Sequence, residues 1–204
     1  MGLLIAGNES PLLDALAAEA GRQKNRFATA VIPGPEGKPR AERVNLEWNP
    51  SSPISARTLV LEAGNTMDGL NRAILVCDPP ACPGLPETLS PAGMDRYLDN
   101  NIKGWFFLAR ELRAFFKLRQ GALALVSPAE TASPDILGNA AVSAFRALAQ
   151  SLLRGSNPSE TPVTCFTRTD PGGNEAFAAH ILKVFYDEGR RAGKWHKFGR
   201  LFRL

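Results

Sequence analysis

Short apolar runs closed by glycine, proline or a polar residue recur along this chain, separated by stretches whose apolar residues repeat with a helical period. Leu3 to Ala6 ends at Gly7 and is followed by Leu12, Leu13, Leu16, Ala17 and Ala20, which share one helical face. Ala73 to Val76 ends at Cys77-Asp78 and is halted by Pro79, Pro80 and Pro83; Ala122 to Val126 follows Gly121 and stops at Ser127-Pro128. Val163 to Thr167 is a further run of this kind. Continuous apolar runs of this length suit strands buried on both faces, which is the condition of a parallel sheet.

The intervening segments supply the cover. Arg26 to Ile32 and Arg43 to Trp48 read as strands flanking the loop from Pro33 to Pro39, with a helix over Ser55 to Ala63 after them. Met94 to Leu118 is a long helix whose apolar residues, among them Tyr97, Trp105, Leu108, Leu112 and Phe116, spread over more than one face. Leu137 to Leu153 and Glu175 to Glu188 are further helices, and Trp195 to Leu204 closes the sequence as a basic strand. Strands alternating with helices require right-handed crossovers over a parallel sheet, so the expected fold is α/β, a doubly wound, Rossmann-like three-layer sandwich. With 204 residues, 44% of them apolar, the chain can close one sizeable core and is short for two, so a single domain over residues 1–204 is expected.

Other function classes find little support. No apolar run approaches the roughly 20 residues of a membrane span, and the first residues lack the basic start of a signal peptide, so a cytoplasmic address is expected. The three cysteines, Cys77, Cys82 and Cys165, form no CxxC pair, which argues against both a disulfide framework and a zinc site. Asp78 beside Cys77 raises a thiol pKa rather than lowering it, so no nucleophile is expected there. His180 and His196 share no diagnostic spacing with a carboxylate, and no metal site is expected. The charge asymmetry lies at the end, where Arg190, Arg191, Lys194, Lys197, Arg200 and Arg203 follow the last acidic residue, Glu188. That basic segment could meet an acidic partner, with its aromatic residues Trp195, Phe198 and Phe202 more often the buried side of a strand than stacking groups.

Asn100-Asn101-Ile102-Lys103-Gly104-Trp105-Phe106-Phe107-Leu108 resembles the "vNlkGvfl" start of the fourth helix of short-chain dehydrogenases/reductases. Gly121-Ala122-Leu123-Ala124-Leu125-Val126-Ser127 is similar to that family's "GrIVnisS" strand, and Ala144 to Leu152 to the segment after its YxxxK pair. The likeness is strongest to 3-ketoacyl-(acyl carrier protein) reductase-like members. It implies that Asn101 stands at the family's helix asparagine and Ser127 at its catalytic serine, while Gly138 and Val142 replace the tyrosine and lysine.

In that family the tyrosine passes a proton and the lysine lowers its pKa; neither Gly138 nor Val142 has a proton to give. The chain's tyrosines are Tyr97 and Tyr186. Of the TGxxxGxG loop, Gly7 remains, as a vestige of the cofactor site; Pro11 removes an amide donor, Leu13 places a branched side chain where backbone contact is wanted, and Glu9 adds repelling charge. Cys77-Asp78-Pro79-Pro80 stands at the family's "NNAG", and Asn49 at an aspartate that contacts adenine. The resemblance therefore implies a pseudoenzyme with no cofactor, serving as a binding or assembly subunit through the helices Met94 to Leu118 and Leu137 to Leu153, as a homodimer, tetramer or hetero-oligomer with a similar partner. The alternative is a divergent NAD(P)-dependent oxidoreductase of the same family.

Overall fold

The computed structural model describes residues 2–32, 45–67, 69–80, 82, 89–128, 135–155, 161–169, 173–187 and 193–199. Seven strands form one sheet: β1 (Gly2–Asn8), β2 (Arg26–Ile32), β3 (Asn45–Leu46), β4 (Leu70–Val76), β5 (Ala122–Ser127), β6 (Val163–Arg168) and β7 (Trp195–Phe198). Every pairing is parallel, in the order β3-β2-β1-β4-β5-β6-β7. The winding direction reverses between β1 and β4, and this is the point at which an open α/β sheet presents a crevice at its strand ends. The doubly wound α/β sandwich expected from the apolar runs is the fold observed.

Helices α1 (Pro11–Arg22) and α6 (Asn174–Tyr186) cover one face; α2 (Pro53–Thr66), α4 (Gly104–Lys117) and α5 (Ile136–Arg154) cover the other. A short α3 (Pro91–Leu98) leads into α4. Three of these helices open on the same dipeptide: Ser10-Pro11, Ser52-Pro53 and Ser90-Pro91, with the serine hydroxyl accepting a first-turn amide and proline at the first helical position. The serine satisfies one of the amides a helix start leaves orphaned, and proline has no amide to orphan there. The α2, α4 and α5 side is knit by aromatic contacts, with Trp48 and Trp105 at 5.3 Å between ring centroids and Trp105 and Phe145 at 5.5 Å.

Several local features differ from the sequence reading. The strand expected over Arg43 to Trp48 is seen as the two-residue β3, with 43 and 44 outside the described residues. The last strand ends at Phe198, and 200–204 lie outside the described residues. The long helix starts earlier, at Pro91, and is interrupted by a π turn over Asp99–Lys103. Its second half buries Trp105, Leu108, Leu112 and Phe116, whereas Phe106 is half-exposed, so the expected cover on two sides is incomplete. Helix α5 has the length and mean hydropathy of a membrane span, contrary to the reading that no run comes near it, yet its stripe of Gly138, Ala141, Phe145, Leu148 and Ala149 is buried against the sheet.

Candidate functional site

The crevice at the strand ends begins with the turn between β1 and α1. An ideal Cβ on Gly7 would come within 2.8 Å of Leu13 Cδ1 and 3.0 Å of Val76 Cβ, so the space this glycine frees is filled by the chain itself. Leu13 is buried, and Ser10 Oγ takes its backbone amide at 3.3 Å. Ser10 also hydrogen-bonds the Asp78 carboxylate, and the Asp78 amide donates to Asn8 Oδ1 at 3.1 Å. The N-terminus of α1 therefore already has a carboxylate beside it. The positive end of a helix is where a pyrophosphate would be held, and a resident anion opposes its arrival.

Burial pushes the Asp78 carboxyl above the usual carboxylate range, against the opposing pulls of the Ser10 hydrogen bond and the Arg168 charge. A carboxyl with a raised folded pKa binds its proton more tightly folded than unfolded. Its ionisation therefore costs stability, and that cost appears as pH rises through the window above the ordinary carboxylate range. Asp78→Asn should be more stable than the natural chain at about pH 7, with the difference shrinking towards about pH 4. Urea midpoints of the two proteins at both pH values check this, and a difference independent of pH would contradict it.

Asn101 lies in the π turn and is 3% exposed. Its Nδ2 donates to the Tyr97 carbonyl at 3.0 Å, and its Oδ1 accepts from Asn8 Nδ2 at 2.9 Å. A π turn leaves a carbonyl without its usual helical amide, and a buried side-chain amide is a suitable substitute. Asn8 thus joins the end of β1 to the long helix and, through its oxygen, to the loop after β4.

Ser127 closes β5 and is buried; its hydroxyl pairs with Thr167 Oγ1 at 2.9 Å and accepts from Arg146 Nε at 3.3 Å. Arg146 also donates to the Pro128 carbonyl at 2.9 Å, and Trp195 Nε1 donates to Thr167 Oγ1 at 3.1 Å. Gly138 sits in the first turn of α5, where its amide donates to the N-cap carboxylate of Asp135 at 2.9 Å. A Cβ at Gly138 would lie 2.4 Å from Asp135 Oδ2, which itself accepts the Cys82 amide at 3.0 Å. The position matched to the family's tyrosine is thus held as a tight cap that a larger residue would break. One turn on, Val142 packs against the core.

Tyr97, Cys77 and Cys165 are poorly suited to proton transfer. The Tyr97 hydroxyl is buried without a hydrogen-bond partner, and its pKa is driven well up by burial, then by Asp135, Cys82 and Cys77. Burial likewise raises the Cys77 thiol, assisted by Asp78, and pushes Cys165 up to about 12. All three stay neutral at physiological pH and need a strong base to ionise. His180 and His196 both contact Phe166, His180 edge-on and His196 stacked, in an aromatic cluster with Phe198. Among the described residues no group of three metal-ligating side chains occurs. Asn49 lines a cavity of about 510 Å³ with Ser51, Asp95, Arg96, Asp99 and Asn100, and its Oδ1 accepts from the amide and hydroxyl of Ser51 in the turn before α2.

Asn8, Arg146 and Thr167 belong to this crevice, and the sequence alone does not mark them as site residues. A polar residue closing a buried strand is a usable signal for Asn8 and Thr167, since it must find a partner. Nothing in the local sequence tells that Arg146 reaches the end of β5.

The parallel order, the switch point and the long helix through Asn101 define a protein with the architecture of short-chain dehydrogenases/reductases. No family model matches the chain, and no curated protein matches it by sequence. Solved structures do. An NADH-dependent reductase, A1-R', complexed with NAD superposes with a TM-score of 0.72 over 97% of this chain and 94% of that one, at 15% identity. A short-chain dehydrogenase/reductase of Serratia marcescens gives 0.69 over 97% and 95%, at 13% identity. A 3-ketoacyl-(acyl-carrier-protein) reductase from Brucella melitensis complexed with NADH gives 0.70 over 95% of each chain, at 11% identity. At these identities the likeness is one of fold.

Proposed function

We propose that this chain is a non-catalytic protein on the short-chain dehydrogenase/reductase fold, used as a binding or assembly subunit through α4 and α5. The observation that carries the reading is the corner at the start of α1, where Leu13 fills the space over Gly7 and Asp78 occupies the anion position through Ser10. The capped, buried Gly138 and the core-packed Val142 support it, since they stand where a proton donor and its partner would be needed. Helices α4 and α5 meanwhile present apolar surface, with Phe106 47% and Ile136 56% exposed. Apolar side chains of that size on two neighbouring helices suit a two-fold pairing with a second copy or a similar chain.

The second reading, a divergent NAD(P)-dependent oxidoreductase, is favoured by one finding: two of the similar structures are complexes with NAD and NADH. Calorimetric titration with NADH and NADPH separates the two. No saturable binding is expected up to about 1 mM cofactor, a weak-binding threshold of about 4 kcal/mol. Saturation at micromolar cofactor would overturn the non-catalytic reading, and light scattering that returns a clean monomer would remove the assembly role.

A further inference from the structure

A cleft of about 400 Å³ opens between α5 and the β6-β7 edge, lined by Arg146, Gln150, Thr167, Arg168, Thr169, Trp195 and Lys197. Arg146, Arg168 and Lys197 bring three positive charges to it, and none of these seven residues is acidic. Asp78 lies within electrostatic reach of Arg168. The volume falls within the range of small-molecule sites, roughly 300–1,000 Å³.

The lining is held in place rather than merely gathered. Arg146 is fixed by its bonds to Ser127 Oγ and the Pro128 carbonyl, and Arg168 by Nη1 donating to Asn174 Oδ1 at 2.5 Å. Thr169 is tied to the Phe198 carbonyl by both its amide, at 2.7 Å, and its hydroxyl, at 3.1 Å. Trp195 is set as a wall by its indole bond to Thr167. Lys197, on the exposed side of β7, is the long cation able to close over whatever enters.

We propose that this cleft is a binding site for a phosphate dianion, carried as a small phosphomonoester or as free phosphate. Two planar guanidinium groups and an ammonium offer several donors to tetrahedral oxygens, and a doubly charged ligand relieves more of their mutual repulsion than a singly charged carboxylate. The half-buried indole offers a flat apolar surface to the organic part of an ester. The site lies on β6, β7 and the middle of α5, where Arg146 and Thr167 join it to the strand-end crevice, and its titration with phosphate is read separately from that with NADH and NADPH.

The test uses the whole protein, followed by calorimetry and tryptophan fluorescence, with inorganic phosphate, glycerol 3-phosphate and acetate as probes. Saturable binding of the two phosphates is expected, with acetate at least about tenfold weaker. Lys197→Gln, a change at an exposed side chain, should weaken phosphate by about tenfold, and Arg168→Gln by at least as much, while Lys117→Gln at the end of α4 should leave it unchanged. Glycerol 3-phosphate tighter than phosphate identifies an ester ligand; equal affinities identify free phosphate. Absence of saturable phosphate binding, acetate binding equally well, or affinity unmoved by Lys197→Gln and Arg168→Gln together would overturn the proposal.

Discussion

Trp105→Ala should destabilise the protein by about 3–5 kcal/mol, the range found for removing a buried large aromatic side chain. Trp105 is fully buried in α4 and is the middle ring of the Trp48, Trp105 and Phe145 contacts, which join the segment before α2 to α4 and α5. Removing it empties the place where those elements meet, and a close-packed interior relaxes only in part around such a gap. The loss should appear as a urea midpoint lowered by about 1.5–2.5 M, taking a slope of about 2 kcal/mol per molar. A shift below about 0.5 M would mean that the three rings do not hold the helices together.

Asn101→Leu should cost about 2–4 kcal/mol, because one buried and one half-buried polar group lose their partner at once and a stranded polar group costs about 1–3 kcal/mol. Asn8 Nδ2 would be left without its acceptor and the Tyr97 carbonyl, at the end of α3, without its donor. Leucine is close in volume, so the loss would report hydrogen bonding more than packing. The double-mutant cycle with Asn8→Ala should return a coupling of about 1–3 kcal/mol. Additive single and double mutants would show that the two amides do not act as a pair, and would reopen the question of what Asn101 is kept for.

The order of elements was readable because parallel strands buried on both faces leave continuous apolar runs such as Ala122 to Val126, and sheet-covering helices leave a period. The Ser-Pro starts of α1, α2 and α3 are local as well. The π turn is not legible in the sequence, since a π turn adds no residue type of its own. What could not be read were bonds between distant positions. Asn8 and Asn101 are 93 residues apart, Arg146 meets Ser127 from the far side of a loop, and His180 reaches Phe166 and Phe198 through the sheet's last crossover. Burial decides such pairings, and burial is a property of the assembled sheet. Leu13 is the instructive intermediate case: its bulk was visible in the sequence as an obstacle, but the cavity it fills over Gly7 was not.

The place of β1 between β2 and β4 has a consequence for how the chain comes to be made. All seven residues of this first strand are buried in the finished sheet, and one of its two neighbours is Leu70–Val76. On a ribosome adding about 5–20 residues per second, β1 waits on the order of ten seconds for that neighbour to be synthesised. During that wait one edge of a strand built to be wholly buried is open to any other strand that passes. A protein with this topology depends on being shielded while young, so its yield in a cell should respond to the supply of chaperones more than its equilibrium stability would suggest.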